Sequence, residues 1–258
     1  IKVACMLLNR GSYDGKKIIS NEYITLATSP QAIKQDDMND PNQYFSGNQY
    51  GFQFHISPNN IYRADGAFGQ YCVVYPDRNL AIIATSQRTK AEPFLSLIDK
   101  HFIHVTNYSD SILQEHLYSY LSELSFIVPN HHVKTYVIPQ GLYSLEDNEL
   151  NIKDIWLTKD KLQIIFSNEI QDIIDINFDK PVYGMSHFVK DLQVHFQEHC
   201  VLSRWENKRL LVLKVYYIET PYVLEYKLKF CGDYIEFNFN INVSMTLDGF
   251  TVNAIKCK

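Results

Sequence analysis

The sequence has no paired cysteines, no basic block and no apolar run of membrane-spanning length, and each absence removes a class of protein. Its five cysteines, Cys5, Cys72, Cys200, Cys231 and Cys257, are odd in number, widely spaced and free of any CxxC pair. That pattern argues against a disulfide framework or a zinc site and for small buried hydrophobes. With a net charge of −5 and no run of lysine and arginine, the chain offers no footprint for nucleic acid or anionic lipid. The longest apolar runs are strand-sized, so no transmembrane segment is expected. Internal repeats and low-complexity tracts are also missing. What remains is a globular composition of 258 residues, 46% hydrophobic and 21% charged, enough for one large domain or two ordinary ones. The 18 tyrosines and 15 phenylalanines favour strands.

The opening "IKVACMLLNRG" is already in amphipathic helical rhythm, with Val3, Met6 and Leu7 on one face and Gly11 placed to follow the helix end. No capping residue precedes Ile1, so the chain reads as starting inside a helix, as a cut chain would, with any export signal in the missing part. Ser20 caps a second helix, "NEYITLAT", which stops before Pro30. "PQAIKQDDMNDPNQYFSGNQ" is polar and without period, hence a loop. Strands are expected at Tyr50–Ile56, Ile61–Ala64, Gln70–Tyr75 and Leu80–Ser86, with "PDRN" as the turn between the last two. "AEPFLSLIDKHFIHV" returns to helical spacing.

The character changes over residues 108–139. "SDSILQEHLYSYLSELSF" reads as a helix capped by Ser109 or Asp110, and "VPNHHVKTYVIPQG" as a linker between Pro129 and Pro139. Over residues 140–258 the period becomes two. "YVLEYKLKF" puts Tyr222, Leu224, Tyr226, Leu228 and Phe230 on one face, and "IEFNFNINV" does the same with Ile235, Phe237, Phe239, Ile241 and Val243. The turn "CGD" joins them, with Gly232 free to adopt the conformation it needs. Further strands fit "NIKDIWLT", "KLQIIFS" and "RLLVLKVYYIE". One wet and one dry face per strand indicates an antiparallel barrel or sandwich.

In residues 1–107, "MLLNRGSYDGKKIISNEYITLATSPQ", "YGFQFHI" and "YRADGAFGQYCVVYPDRNLAIIATS" together resemble the C-terminal half of the serine β-lactamase-like fold. That superfamily takes in class C β-lactamases, penicillin-binding DD-peptidases and related esterases. The most specific piece is A-x-G-x-x-G-Q, Ala64 to Gln70, followed by a P-D hairpin. The resemblance implies an α+β chain: a partial β-lactamase-like domain, its antiparallel sheet covered by helices on one face, then an all-β antiparallel barrel-like accessory domain. By position, Ala64, Asp65 and Gly66 stand where the family carries Lys-Thr-Gly on its substrate-binding strand. The Ala67 N–H then stands as the oxyanion donor. A backbone N–H aimed at a developing oxyanion is worth a few kcal/mol.

The chain departs from the family in two ways. The lysine and threonine are replaced, and Asp65 would oppose a substrate anion; Arg63 shares a face with Asp65 by strand alternation. The family's nucleophilic S-x-x-K and its Y-x-N element do not occur, and "SGN" at Ser46–Asn48 lies in a polar loop where the family has no such motif. The chain alone is therefore expected to be inactive, a fragment of an enzyme whose nucleophile lies elsewhere. The resemblance implies no cofactor and no metal. The implied partner is the missing N-terminal half of the hydrolase domain, and the parent would be exported or attached to a bacterial cell envelope. Without that half, Leu80–Ser86 is an apolar edge able to pair with a second copy. The alternative is a non-catalytic binding or structural module whose β domain grips a ligand or partner.

Three remaining patterns weaken on inspection. "HFQEH", His195 to His199, matches the inverted zinc-peptidase motif, which requires a helix; here the flanking Leu192, Val194 and Phe196 alternate as on a strand. His131 and His132 belong to the linker and read as solvated. Trp156 and Trp205 could line a ligand cavity, but such residues more often fill a core with the indole N–H satisfied at its edge. Nothing polar converges at a recognisable spacing in residues 140–258, so a packed barrel of about eight strands is the expectation there.

Overall fold

Ser20 shows how the local signals become structure. Its Oγ accepts the Tyr23 N–H at 3.1 Å and starts a helix at Asn21. The structure, a computed structural model, describes residues 1–33, 49–87, 92–102, 111–126, 135–190 and 193–257. It divides into two units, Ile1–Ser109 and Asp110–Lys258. The class is α+β, with a few helices, small antiparallel sheets and a nearly closed barrel-like sheet.

The first unit begins with α1 (Lys2–Leu8), the short hairpin β1 (Ser12–Tyr13) and β2 (Lys16–Lys17), and α2 (Asn21–Ala27). A six-stranded antiparallel sheet follows in chain order: β3 (Ala32–Ile33), β4 (Gln49–Tyr50), β5 (His55–Ile56), β6 (Tyr62–Gly66), β7 (Gln70–Tyr75) and β8 (Leu80–Ala84). The helix α3 (Glu92–Phe102) closes the unit. The single strand expected at Tyr50–Ile56 is two short ones. Between them the Gly51 N–H donates to the Phe54 carbonyl at 2.8 Å, and Gln53 takes a φ of 64°. The "PDRN" turn is a short 3-10 segment, Pro76–Arg78, ended by Asn79 in the left-handed region.

Helices cover both faces of this sheet, not one. Tyr71, Val73 and Tyr75 of β7 pack with Leu95 and Ile98 of α3. Val74 points the other way, into a second cluster with Met6 and Leu7 of α1 and Ile24 of α2. The physical reason is legible in β7 itself: "YCVVY" has no polar alternate, so neither face is fit for water. Each such large apolar side chain contributes about 1.5–3 kcal/mol when buried.

The second unit starts with α4 (Ser111–Ser122), which buries none of its side chains. Ten strands follow: β9 (Gly141–Leu145), β10 (Ile152–Leu157), β11 (Lys161–Phe166), β12 (Gln171–Asp175), β13 (Val182–Lys190), β14 (Gln193–Asn207), β15 (Leu210–Tyr217), β16 (Val223–Phe230), β17 (Tyr234–Ile241) and β18 (Phe250–Lys256). They form one antiparallel sheet in the order β12-β11-β10-β9-β18-β17-β16-β15-β14-β13. Tyr226, Leu228, Ile235, Phe237 and Phe239 face the core, as their period-two spacing requires. Gly232, at φ 80°, makes the β16–β17 turn. Strands β12 and β13 lie at the two ends of the order, so the barrel is ten-stranded and nearly closed.

The five cysteines are free. Cys200 is buried, Cys5, Cys72 and Cys231 are half-buried and Cys257 is exposed, so the expectation of mostly buried thiols is met in full by one of them.

Candidate functional site

The site implied by sequence is built on β6 and its turn. The ladder between β5 and β6 joins His55 to Arg63 and Ile56 to Tyr62, and goes no further. Among the described residues, Ala64, Asp65 and Gly66 pair with Cys72, Tyr71 and Gln70 of β7 on one side only. β6 thus runs past its other neighbour. Asp65, Gly66 and Ala67 are exposed, and Ala64 is half-buried. Ala67 itself lies in the Ala67–Gly69 turn, one residue beyond the end of β6.

Several contacts hold that turn. Ser86 Oγ donates to the Gly69 carbonyl at 2.7 Å and lies 3.3 Å from the Phe68 carbonyl. In return the Gln70 side chain donates to the Ser86 carbonyl at 2.7 Å. Gly69 has φ 87°, and a Cβ there would stand 2.1 Å from Ser86 Oγ. Only glycine satisfies both the backbone and the hydroxyl.

The charge at Asp65 is compensated. Arg63, on the same face two residues back, places Nε 3.0 Å from each carboxylate oxygen, and it is 5% exposed. His55 Nε2 is 3.6 Å from Asp65 Oδ2, with the edge of its ring against Tyr50 at 5.0 Å. Asp65 therefore presents a carboxylate already engaged by a guanidinium. On the opposite face, burial pushes the Tyr62 hydroxyl up to about 12 and also raises the Cys72 thiol, so neither is an anionic nucleophile at neutral pH. A cleft of about 780 Å³ lies at the Tyr62 end of the strand. It is lined by Leu7, Arg10, Asn21, Thr25, Asn60 and Asp77 among others, and none of Ala64 to Ala67 reaches it.

The second unit holds a polar cluster that spacing did not announce. Ser186 Oγ on β13 lies 2.8 Å from His199 Nδ1 on β14 and 3.0 Å from the Tyr217 hydroxyl on β15. All three are buried. Next to them Asp172 of β12, 4% exposed, accepts the His187 backbone N–H at 2.7 Å and the His187 Nδ1–H at 3.0 Å on one oxygen. Burial lowers the affinity of His199 for a second proton and lifts the Tyr217 hydroxyl, so both are neutral. Burial also raises the Asp172 carboxyl, against the pull of its bonds from His187. The four residues that matter are 172, 186, 199 and 217. No fixed interval links them; strand pairing and the near-closure of the barrel do.

"HFQEH" lies within β14, so His195 and His199 are four residues apart on an extended backbone, about 13 Å, and not stacked on a helix. Trp205 is buried, as expected, among Tyr136, Phe178 and Phe230, but its indole N–H has no partner among the described residues. Trp156 is 50% exposed, on the outer face of β10, contrary to its reading as a core residue: Ile155 and Leu157 take the inward positions of that strand. The Ser46–Asn48 motif, the His131–His132 pair and the expected caps Ser109 and Asp110 lie outside the described residues.

No family model matches the chain, and no curated protein matches its sequence. Among solved structures it is similar to the octameric penicillin-binding protein homologue from Pyrococcus abyssi. The match covers 96% of this chain and 44% of that one, at 9% identity and a TM-score of 0.23. The chain thus spans less than half the length of that structure. A likeness this distant carries no argument about chemistry.

Proposed function

We propose that this chain is the C-terminal part of a serine hydrolase of the β-lactamase-like type, cleaving an amide or ester. Cell-wall peptides and β-lactams are the substrates to try first. The observation that supports the reading is the one-sided margin of β6: among the described residues no strand pairs with Ala64–Gly66 on the side away from β7, and Asp65, Gly66 and Ala67 are exposed. In this reading Ala64, Asp65 and Gly66 flank the substrate, and the Ala67 N–H receives the oxyanion. The attacking serine and its lysine belong to the rest of the hydrolase domain, which seats against β8; the barrel is an accessory module.

The test compares this chain with the product of its complete reading frame. Both are treated with a chromogenic ester, a chromogenic β-lactam and a serine-directed phosphonate. This chain alone should stay unlabelled, and the complete protein should be labelled at a serine outside it. In the complete protein Ala67→Pro, which removes the N–H, should lower kcat by about 100- to 1000-fold, whereas Ala67→Gly should not. Labelling of a serine within residues 1–258 would sink the proposal.

One observation favours a second reading, a non-catalytic binding or structural module. The group presented beside Gly66 is a carboxylate bound to Arg63, not a free cation for a substrate anion. Absence of turnover and of labelling in the complete protein would decide for it.

A further inference from the structure

Every neighbouring pair in the barrel's strand order is joined by a backbone ladder, but its two end strands, β12 and β13, are not. Among the described residues no backbone–backbone hydrogen bond joins them. Among the described residues the hydrogen bonds that join them come from one side chain. The Asp172 carboxylate reaches from β12 to the backbone N–H of His187 on β13, at 2.7 Å, and to the His187 ring at 3.0 Å. Both bonds fall on the same oxygen. Immediately behind the junction runs the Ser186–His199–Tyr217 chain, and the Tyr217 hydroxyl lies 3.5 Å from the His187 carbonyl.

We propose that the β12–β13 seam is a lateral gate, shut by Asp172 on His187, whose opening brings the internal Ser186–His199–Tyr217 chain into contact with solvent. A laddered junction would have to break several backbone bonds in register before it parted; this one has to release a single carboxylate. Released into water, that carboxylate regains the hydration that burial denies it, which lowers the cost of opening. The outer side of the seam adds little restraint: Ile173 and Met185, which flank it on β12 and β13, are 47% and 46% exposed. The long strand β14 stays laddered to β13 on one side and β15 on the other, so the gate swings without unravelling the sheet. His187 moves with β13. Ser186, next to it, is then the first interior group to meet water.

The reporters are the His187 amide, which has Asp172 as its acceptor, and the ring of His199, which is 1% exposed when the seam is shut. Hydrogen exchange by NMR and carbethoxylation mapped to His199 are measured on the whole chain as wild type, Asp172→Ala and Asp172→Asn. In the wild type the His187 amide should exchange at least tenfold faster than the laddered amides of Leu228 and Phe237. Asp172→Ala should raise both the His187 rate and the His199 labelling rate about tenfold, leaving Leu228 and Phe237 unchanged. Asp172→Asn, which keeps a carbonyl acceptor, should raise them less. The proposal is overturned by a wild-type His187 amide as protected as Leu228, which needs no variant to fold. A uniform rise at all sites in Asp172→Ala, or faster His187 exchange with His199 still unreactive, overturns it equally.

Discussion

Asp172 is where a single side chain has the largest leverage. Its carboxyl is held above its ordinary value of 3.8 because burial penalises the anion by more than the bonds from His187 pull it down. The direction fixes the sign of its pH effect. A raised value means that the folded state holds the proton more readily than the unfolded state. The stabilisation linked to that proton is fully present below the unfolded value and is lost as pH rises through the folded one. Urea unfolding of the wild type minus that of Asp172→Asn should therefore fall in a window opening just above the ordinary aspartate range. At neutral pH Asp172→Asn should be neutral or stabilising, because it drops a buried charge and keeps an acceptor for the His187 N–H. Asp172→Ala should cost about 1–3 kcal/mol at neutral pH by stranding that donor. A difference that rises with pH, or an Ala variant as stable as the Asn variant, would contradict the account. The sequence gives no hint of this site. Asp172, Ser186, His199 and Tyr217 come from four strands: register aligns the last three, and the near-closure of the barrel brings Asp172 to them. Arg63 and Asp65, two apart on one strand, were by contrast legible as neighbours.

At the scale of elements, what was legible is what alternates. β16 and β17 announce themselves because polar and apolar residues alternate cleanly and the apolar set faces the core. β14 misleads for the opposite reason. Its inward set contains Gln197, His199 and Ser203, while Phe196 points outward and is 52% exposed. A period-two reading then assigns the dry face to the wrong side. β4 and β5 merge in the sequence because "YGFQFHI" alternates Tyr50, Phe52, Phe54 and Ile56 with Gly51, Gln53 and His55 as one strand would, and the tight Gly51–Phe54 turn has no turn-forming pair to mark it. The β6–β7 hairpin was legible from its glycines, and a prediction attaches to it. Gly69→Ala should destabilise the first unit by about 2 kcal/mol, about half from the left-handed backbone and half from the displaced Ser86 hydroxyl. The check is denaturant unfolding of Gly69→Ala, Ser86→Ala and the double variant. Because Ser86→Ala clears the space that the new Cβ needs, the double variant should lose less than the sum of the two. Strict additivity would mean that the clash with Ser86 is not what excludes a side chain at position 69.

For the molecule as a whole, the α+β class followed from the change of period along the chain, from helical spacing to strict alternation. The six-stranded sheet ends in β8, which among the described residues is laddered to β7 alone. That edge is "LAIIA": five residues without a charge, a proline or a bulge to discourage pairing, with Ile83 38% exposed. An extended partner supplying N–H and C=O groups in register would complete it; in this chain alone the candidate we propose is a second copy set antiparallel. Sedimentation of the chain alone should therefore show concentration-dependent association. Ile83→Lys, which places a solvated charge on the exposed side of the strand, should shift the chain to monomer without changing its unfolding midpoint by more than about 0.5 kcal/mol. The reasoning fails if the wild type sediments as a single monomer at all concentrations while its β8 amides exchange freely, because an open edge that binds nothing would then be a stable feature of the fold.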